Sequence, residues 1–149
     1  MLNKKLADFT LPSTGDKVFR LKDHAGSKLV IYFYPKDSTP GCTTQGQNFR
    51  DAHAAFRAAG CGIVGISRDS TWSHKAFKKE RGIKYDLLAD PMLEVTKKFG
   101  LEHPKVPFIS HRATVVVDKT GKVAYVQVQE KTPEARDFTQ LQDALKKLK

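Results

Sequence analysis

The chain has 149 residues, with 40% hydrophobic and 28% charged side chains, which suits one ordinary globular domain with a real core spanning residues 1–149. No run reaches the roughly 18 apolar residues a membrane helix needs, and no apolar stretch follows Met1-Leu2-Asn3-Lys4-Lys5, so no secretory signal and a cytoplasmic location are expected. Basic residues outnumber acidic ones 26 to 16, a formal charge of +10, yet they are spread along the chain without aromatic interleaving or a DNA-binding signature, which favours a solvated surface over a specific nucleic-acid site.

In chain order, Asp8-Phe9-Thr10 and Lys17-Val18-Phe19-Arg20 are expected to pair as an N-terminal hairpin. Lys28 to Tyr34 is apolar and rich in β-branched and aromatic side chains, so it reads as a buried strand. A helix is expected from Thr39 to about Ala59, with Phe49, Ala52, Phe56 and Ala59 at helical spacing and Gly60 as its stop. Cys61 to Ser67 is the next strand, and Thr71 to Arg81 the next helix, ended by Gly82. Leu87-Leu88-Ala89 fits a short strand. Asp90 is placed to cap a short helix through Phe99, with Gly100 as terminator. Ala113 to Asp118 and Lys122 to Val128 form a hairpin around Asp118-Lys119-Thr120-Gly121. Thr132-Pro133-Glu134 starts a last helix, whose Phe138, Leu141, Leu145 and Leu148 share one face. The alternation predicts an α/β fold of thioredoxin-like type, a mixed central sheet flanked by helices.

Chemistry concentrates at the carboxyl end of the first long strand, where ligands bind in open α/β sheets. Ser38 or Thr39 can cap the following helix, Pro40 suits its first position, and Cys42 falls in its first turn. Unpaired amides and the helix dipole there favour thiolate over thiol. The bland alternative is a packed small residue beside an ordinary Pro-Gly turn.

The run Tyr32-Phe33-Tyr34-Pro35-Lys36-Asp37-Ser38-Thr39-Pro40-Gly41-Cys42-Thr43-Thr44 resembles the active-site segment of peroxiredoxins, nearest to the bacterioferritin comigratory protein or peroxiredoxin Q group. The spacing Pro-x-x-x-Thr-x-x-Cys is met by Pro35, Thr39 and Cys42. Supporting matches follow in order: Asp8 to Pro12, Phe49-Arg50-Asp51, Gly65 to Ser70, Ser73-His74, Leu87 to Asp90 and Arg112-Ala113-Thr114. The resemblance implies that Cys42 is the peroxidatic cysteine and that Thr39 hydrogen-bonds the peroxide. It further implies that Pro35 shields the thiolate from water and that Arg112 sits beside the sulfur. It implies a thiol peroxidase acting on hydrogen peroxide and organic hydroperoxides, most often a monomer, with no cofactor and no metal.

The chain departs from the group at one informative place. The resolving cysteine that many members carry five residues after the first is Gln47 here, and position 45 is Gln45. The other cysteine, Cys61, lies beyond the far end of the expected helix, roughly 25 Å away at 1.5 Å per residue, too far for a disulfide. Cys61 therefore reads as a buried strand residue. A one-cysteine cycle is expected, its sulfenic acid reduced by an external thiol such as thioredoxin, glutaredoxin or a small thiol. His24, His53, His74, His103 and His111 are scattered and read as surface or structural residues, although His111 adjoins Arg112. Trp72 and Phe108 read as helix packing, with apolar surface near the pocket entrance as the alternative. The competing functional classes are a redox-inactive thioredoxin-like binding module, a basic nucleic-acid-associated protein, and a thiol–disulfide oxidoreductase. The last normally needs Cys-x-x-Cys, which Gln45 denies.

Overall fold

The computed structural model describes residues 4–6, 8–14, 17–24, 26–34, 53, 57, 60–101 and 112–129. Its strands are β1 (Thr10–Ser13), β2 (Lys17–Arg20), β3 (Lys28–Phe33), β4 (Cys61–Ser67), β5 (Asp86–Ala89), β6 (Arg112–Val117) and β7 (Val123–Gln129). Helix α1 is Thr71–Arg81, helix α2 is Glu94–Lys98, and a 3-10 turn covers Leu21–His24.

The strands form one sheet in the order β2-β1-β5-β4-β3-β6-β7. β3, β4 and β5 run parallel, while β6 pairs antiparallel with β3 on the other side. This is the mixed sheet expected from the sequence. All six residues of β3 are buried because it has a strand on each side and apolar cover on each face. Alternation sorts its side chains. Leu29, Ile31 and Phe33 join Val64, Ile66, Val95, Leu101 and Val115 in one cluster. Val30, Tyr32 and Tyr34 join Ile63, Phe77, Tyr85 and Leu87 in the other. Phe77 comes from α1 and Val95 from α2, so the two described helices cover opposite faces.

Local chemistry sets the ends of α1. The Ser70 hydroxyl accepts from the Ser73 amide at 3.1 Å, and Gly82, at φ 67°, closes the other end with its amide on the Lys78 carbonyl. The turn between β6 and β7 is held by one carboxylate. Asp118 Oδ1 accepts from the Thr120 amide, the Thr120 hydroxyl and the Lys122 amide at 2.8, 2.6 and 3.0 Å.

Four expectations need correction. The N-terminal hairpin pairs Thr10–Ser13, rather than residues 8–10, with Lys17–Arg20. Asp8 instead accepts the Lys22 amide at 2.9 Å, which anchors the 3-10 turn, and the paired stretch continues until Ser13 reaches Leu88 of β5. Asp90 is not the cap residue of a helix through Phe99. Asp90-Pro91-Met92 makes a turn closed by the Leu93 amide on the Asp90 carbonyl, and α2 begins only after Leu93. The Asp90 carboxylate reaches over that turn to the Thr96 amide at 2.9 Å and the Thr96 hydroxyl at 2.8 Å, so it supplies the missing acceptor from a distance. Leu93 holds a left-handed φ of 56°, a strained value for leucine, offset by burial of its side chain. Arg112 is the first residue of β6, not the residue before it. Finally, Trp72 does not pack: it is 82% exposed on the first turn of α1, because Phe77 and His74 are the residues α1 turns inward.

Of the helix expected over Thr39 to Ala59, His53 and Arg57 are described, and both are helical. The remainder of that segment and the helix starting at Thr132-Pro133-Glu134 lie outside the described residues.

Candidate active site

The candidate segment follows the carboxyl end of β3, an interior strand of the sheet. β3 ends at Phe33, and Tyr34 continues in register far enough for its amide to donate to the Ile66 carbonyl at 3.1 Å. The β3–β6 ladder closes with Phe33 opposite Ala113, so the Arg112 backbone stands level with Tyr34, one residue before Pro35. Pro35, Thr39 and Cys42 lie outside the described residues, as does the side chain of Arg112. Arg112 is thus brought by backbone register to the strand end from which the motif departs.

What holds that strand end is a buried polar and aromatic network that sequence reasoning did not single out. Tyr34 is 1% exposed and its hydroxyl lies 3.3 Å from His74 Nδ1. His74, fully buried in α1, places Nε2 2.9 Å from the Leu88 carbonyl of β5. A carbonyl only accepts, so Nε2 carries a proton toward Leu88, and Nδ1 shares a second hydrogen bond with the Tyr34 hydroxyl. One imidazole therefore ties β3, α1 and β5 together at the end of the sheet that launches the motif. Tyr32 stacks on Tyr34 with centroids 5.4 Å apart and hydrogen-bonds Tyr85 hydroxyl to hydroxyl at 2.7 Å. His74 was expected to be a surface or structural residue, and it is structural. Its neighbour Phe77, three residues along the helix, marked the buried face in the sequence.

The room for this network comes from a glycine. A Cβ on Gly65 would stand 2.7 Å from Tyr32 Cζ and 2.9 Å from Leu87 Cδ2, so the Tyr32 ring lies directly on the β4 backbone.

Cys61 sits at the other end of the sheet. It opens β4 level with Lys28, at the start of β3, whereas Tyr34 follows the end of β3. Six residues at about 3.3 Å each separate the two levels by roughly 20 Å. The thiol is 2% exposed, Sγ donates to the Gly62 carbonyl at 3.5 Å, and burial pushes its pKa up to about 11 against a smaller lowering from Lys28. This is a packed thiol, as the sequence led one to expect. Among the described residues, no helix is long and apolar enough to cross a membrane, and no group of three or more His, Cys, Asp or Glu side chains could hold a metal ion.

Comparison with known proteins agrees with this architecture. Residues 2–126 match the model of the AhpC/TSA family. A curated relative, the chloroplastic peroxiredoxin Q of Oryza sativa subsp. japonica, is 39% identical over 127 residues, 85% of this chain and 58% of the relative. The chain thus spans a little under three fifths of that relative's length. Among solved structures, a cysteine variant of PrxQ from Xylella fastidiosa superposes with a TM-score of 0.84 at 27% identity, covering 99% of this chain and 94% of the other. Peroxiredoxin Q of Xanthomonas campestris gives a TM-score of 0.79 at 31% identity, covering 93% and 87%. These neighbours share the thioredoxin-like fold expected from the sequence.

Proposed function

The chain belongs to the AhpC/TSA family, with peroxiredoxin Q proteins among its relatives, and from that premise we propose that it is a thiol-dependent peroxidase working through Cys42. The observation that carries the proposal is the state of the other cysteine. Cys61 is buried, burial pushes its pKa up to about 11, and it stands at the far end of the sheet from the strand that leads into the motif. Cys42 is the remaining thiol, and it lies within the matched residues.

In this reading the Cys42 thiolate attacks one oxygen of hydrogen peroxide or an organic hydroperoxide in line with the O–O bond. The S–O bond forms as the O–O bond breaks, and Cys42 becomes a sulfenic acid. The departing oxygen gathers negative charge and leaves as water or an alcohol after taking a proton. Donors held in place before the reaction act most strongly on that oxygen. By their motif positions these donors are Thr39 and Arg112, with Pro35 excluding water. The level of Arg112 beside Tyr34 supports its part.

With Gln47 in place of a helix resolving cysteine, the cycle is a one-cysteine cycle. An external thiol, whether thioredoxin, glutaredoxin or a small thiol, reduces the sulfenic acid. The proposal includes a single domain over residues 1–149, a monomeric state and a cytoplasmic location. The plant relative above is chloroplastic by name, so fractionation of native cells decides the compartment.

The test is hydrogen peroxide consumption with dithiothreitol by the unaltered protein, Cys42→Ser and Cys61→Ser. Loss of turnover in Cys42→Ser alone is expected. Unchanged turnover in that variant defeats the proposal, and no turnover by the unaltered protein favours a redox-inactive binding module. Non-reducing mass spectrometry after one equivalent of peroxide checks the one-cysteine cycle, which a stoichiometric Cys42–Cys61 bond within one chain would overturn.

A further inference from the structure

A concave site lies at the opposite end of the sheet from Tyr34. It is a cavity of about 350 Å3 whose walls include Gly62 and Ile63 from the start of β4 and Asp86 from the start of β5. Cations converge on it from three parts of the chain. Lys17 and Arg20 come from β2, Arg57 from the helical residues before β4, and Lys84 from the segment after α1. Two carboxylates share the cavity, Asp23 and Asp86. Asp86 is already engaged, by Lys17 Nζ at 3.0 Å and Lys78 Nζ at 3.5 Å. Among the described residues, no ion pair engages Arg20, Arg57 or Lys84.

His53 stands in the same cavity with its ring edge-on to Tyr85, centroids 5.8 Å apart. Its pKa is lowered first by burial and then by Arg57, Lys84 and Lys78, which shows how closely the positive field surrounds it. Like charges held together this way destabilise the fold slightly unless an anion joins them.

We propose that this cavity binds a small polyphosphate, either inorganic pyrophosphate or the phosphate tail of a nucleotide. Two guanidinium groups offer forked donors that match phosphate oxygens, and Lys84 adds a mobile point charge. The converging arrangement suits a compact, multiply charged anion. A nucleic-acid strand would need cations set out along a track, with stacking surfaces, and here Asp23 and Asp86 interrupt any such track. The site is independent of the peroxidase reading: it shares no residue with Cys42, Thr39, Pro35 or Arg112.

The test is isothermal titration with sodium pyrophosphate, with ATP and with a single-stranded oligonucleotide at fixed ionic strength. Two variants of equal charge change are compared: Arg57→Ala with Lys84→Ala, both at exposed positions lining the cavity, and Lys97→Ala with Lys98→Ala on α2. Pyrophosphate is expected to bind the unaltered protein and the α2 variant alike and the cavity variant at least about tenfold more weakly. Proton NMR should show the His53 pKa rising on binding, since an anion offsets the field that lowers it. ATP binding tighter than pyrophosphate supports a nucleotide as the source, and equal binding supports free polyphosphate. Equal loss in both variants overturns the proposal, because charge alone would then explain the binding. So does an oligonucleotide that displaces pyrophosphate from the unaltered protein at equal phosphate concentration.

Discussion

A thiol with a pKa of about 11 is a poor nucleophile at neutral pH, and this sets the expected behaviour of Cys61. At pH 7.5 its thiolate fraction is about 1 in 3,000, against about 1 in 30 for the unperturbed value of 9.0. Ionisation alone therefore slows alkylation about a hundredfold relative to an unperturbed thiol. Access slows it further, because the side chain is 2% exposed and its Sγ is turned onto the Gly62 carbonyl. The perturbation is native iodoacetamide labelling of the Cys42→Ser variant, which leaves Cys61 as the one thiol. Intact-mass analysis gives the rate, and the same reaction in urea gives the reference. The native rate should be at least about a hundred times slower than the urea rate. It should also keep rising about tenfold per pH unit beyond pH 9 instead of levelling there, as an ordinary thiol does. A native rate close to the urea rate, or a plateau near pH 9, refutes the reasoning and removes the support Cys61 lends to a single-cysteine cycle.

The same ionisation links to stability. Because folding raises the pKa of Cys61 from 9.0 to about 11, the contribution of the neutral thiol is complete below pH 9 and is lost as pH rises through about 11. The stability difference between the unaltered protein and Cys61→Ala, measured by urea unfolding, should accordingly narrow across that window, and a difference constant from pH 8 to 11 would speak against it. Gly65→Ala should cost about 1–3 kcal/mol, since Tyr32 and Leu87 are fully buried and cannot move away from the new methyl. An unchanged urea midpoint would show that the sheet yields there. His74→Phe should cost about 1–3 kcal/mol by depriving the Leu88 carbonyl of its imidazole donor, and it should slow peroxide turnover by loosening Tyr34 just before the motif. Unchanged stability and turnover together would deny His74 its bracing role.

The order and direction of the strands were legible because each carried its own signal. The six apolar residues from Leu29 to Tyr34 announced a strand covered on both sides, and Asp118-Lys119-Thr120-Gly121 announced its turn. Boundaries were less legible where tertiary partners decide them. The N-terminal hairpin was displaced because Asp8 finds the Lys22 amide and Ser13 finds β5, contacts no local pattern encodes. The reach of Asp90 across five and six residues to α2 escaped the capping rule for the same reason. Of the candidate residues, Cys42, Thr39 and Pro35 were named by one contiguous motif, while Arg112 needed the family pattern, and a register of strands some eighty residues apart sets its backbone level with Tyr34. The Tyr34–His74–Leu88 tie was not read from the sequence, although Ser73-His74 fell in the family pattern, since a buried histidine and a surface one are spelled alike until the helix face is known.

The sheet order also bears on how the protein is made. β3 lies between β4, which follows it by some thirty residues, and β6, which follows by some eighty. During synthesis β3 gains its parallel neighbour early, but its other edge stays bare until Arg112–Val117 has left the ribosome. For most of translation that edge is a run of six residues, mostly apolar, with unpaired backbone groups, the kind of template on which chains pair wrongly. Truncation before residue 112 should therefore give aggregates that titrate with a chaperone, and extension through residue 117 should relieve them.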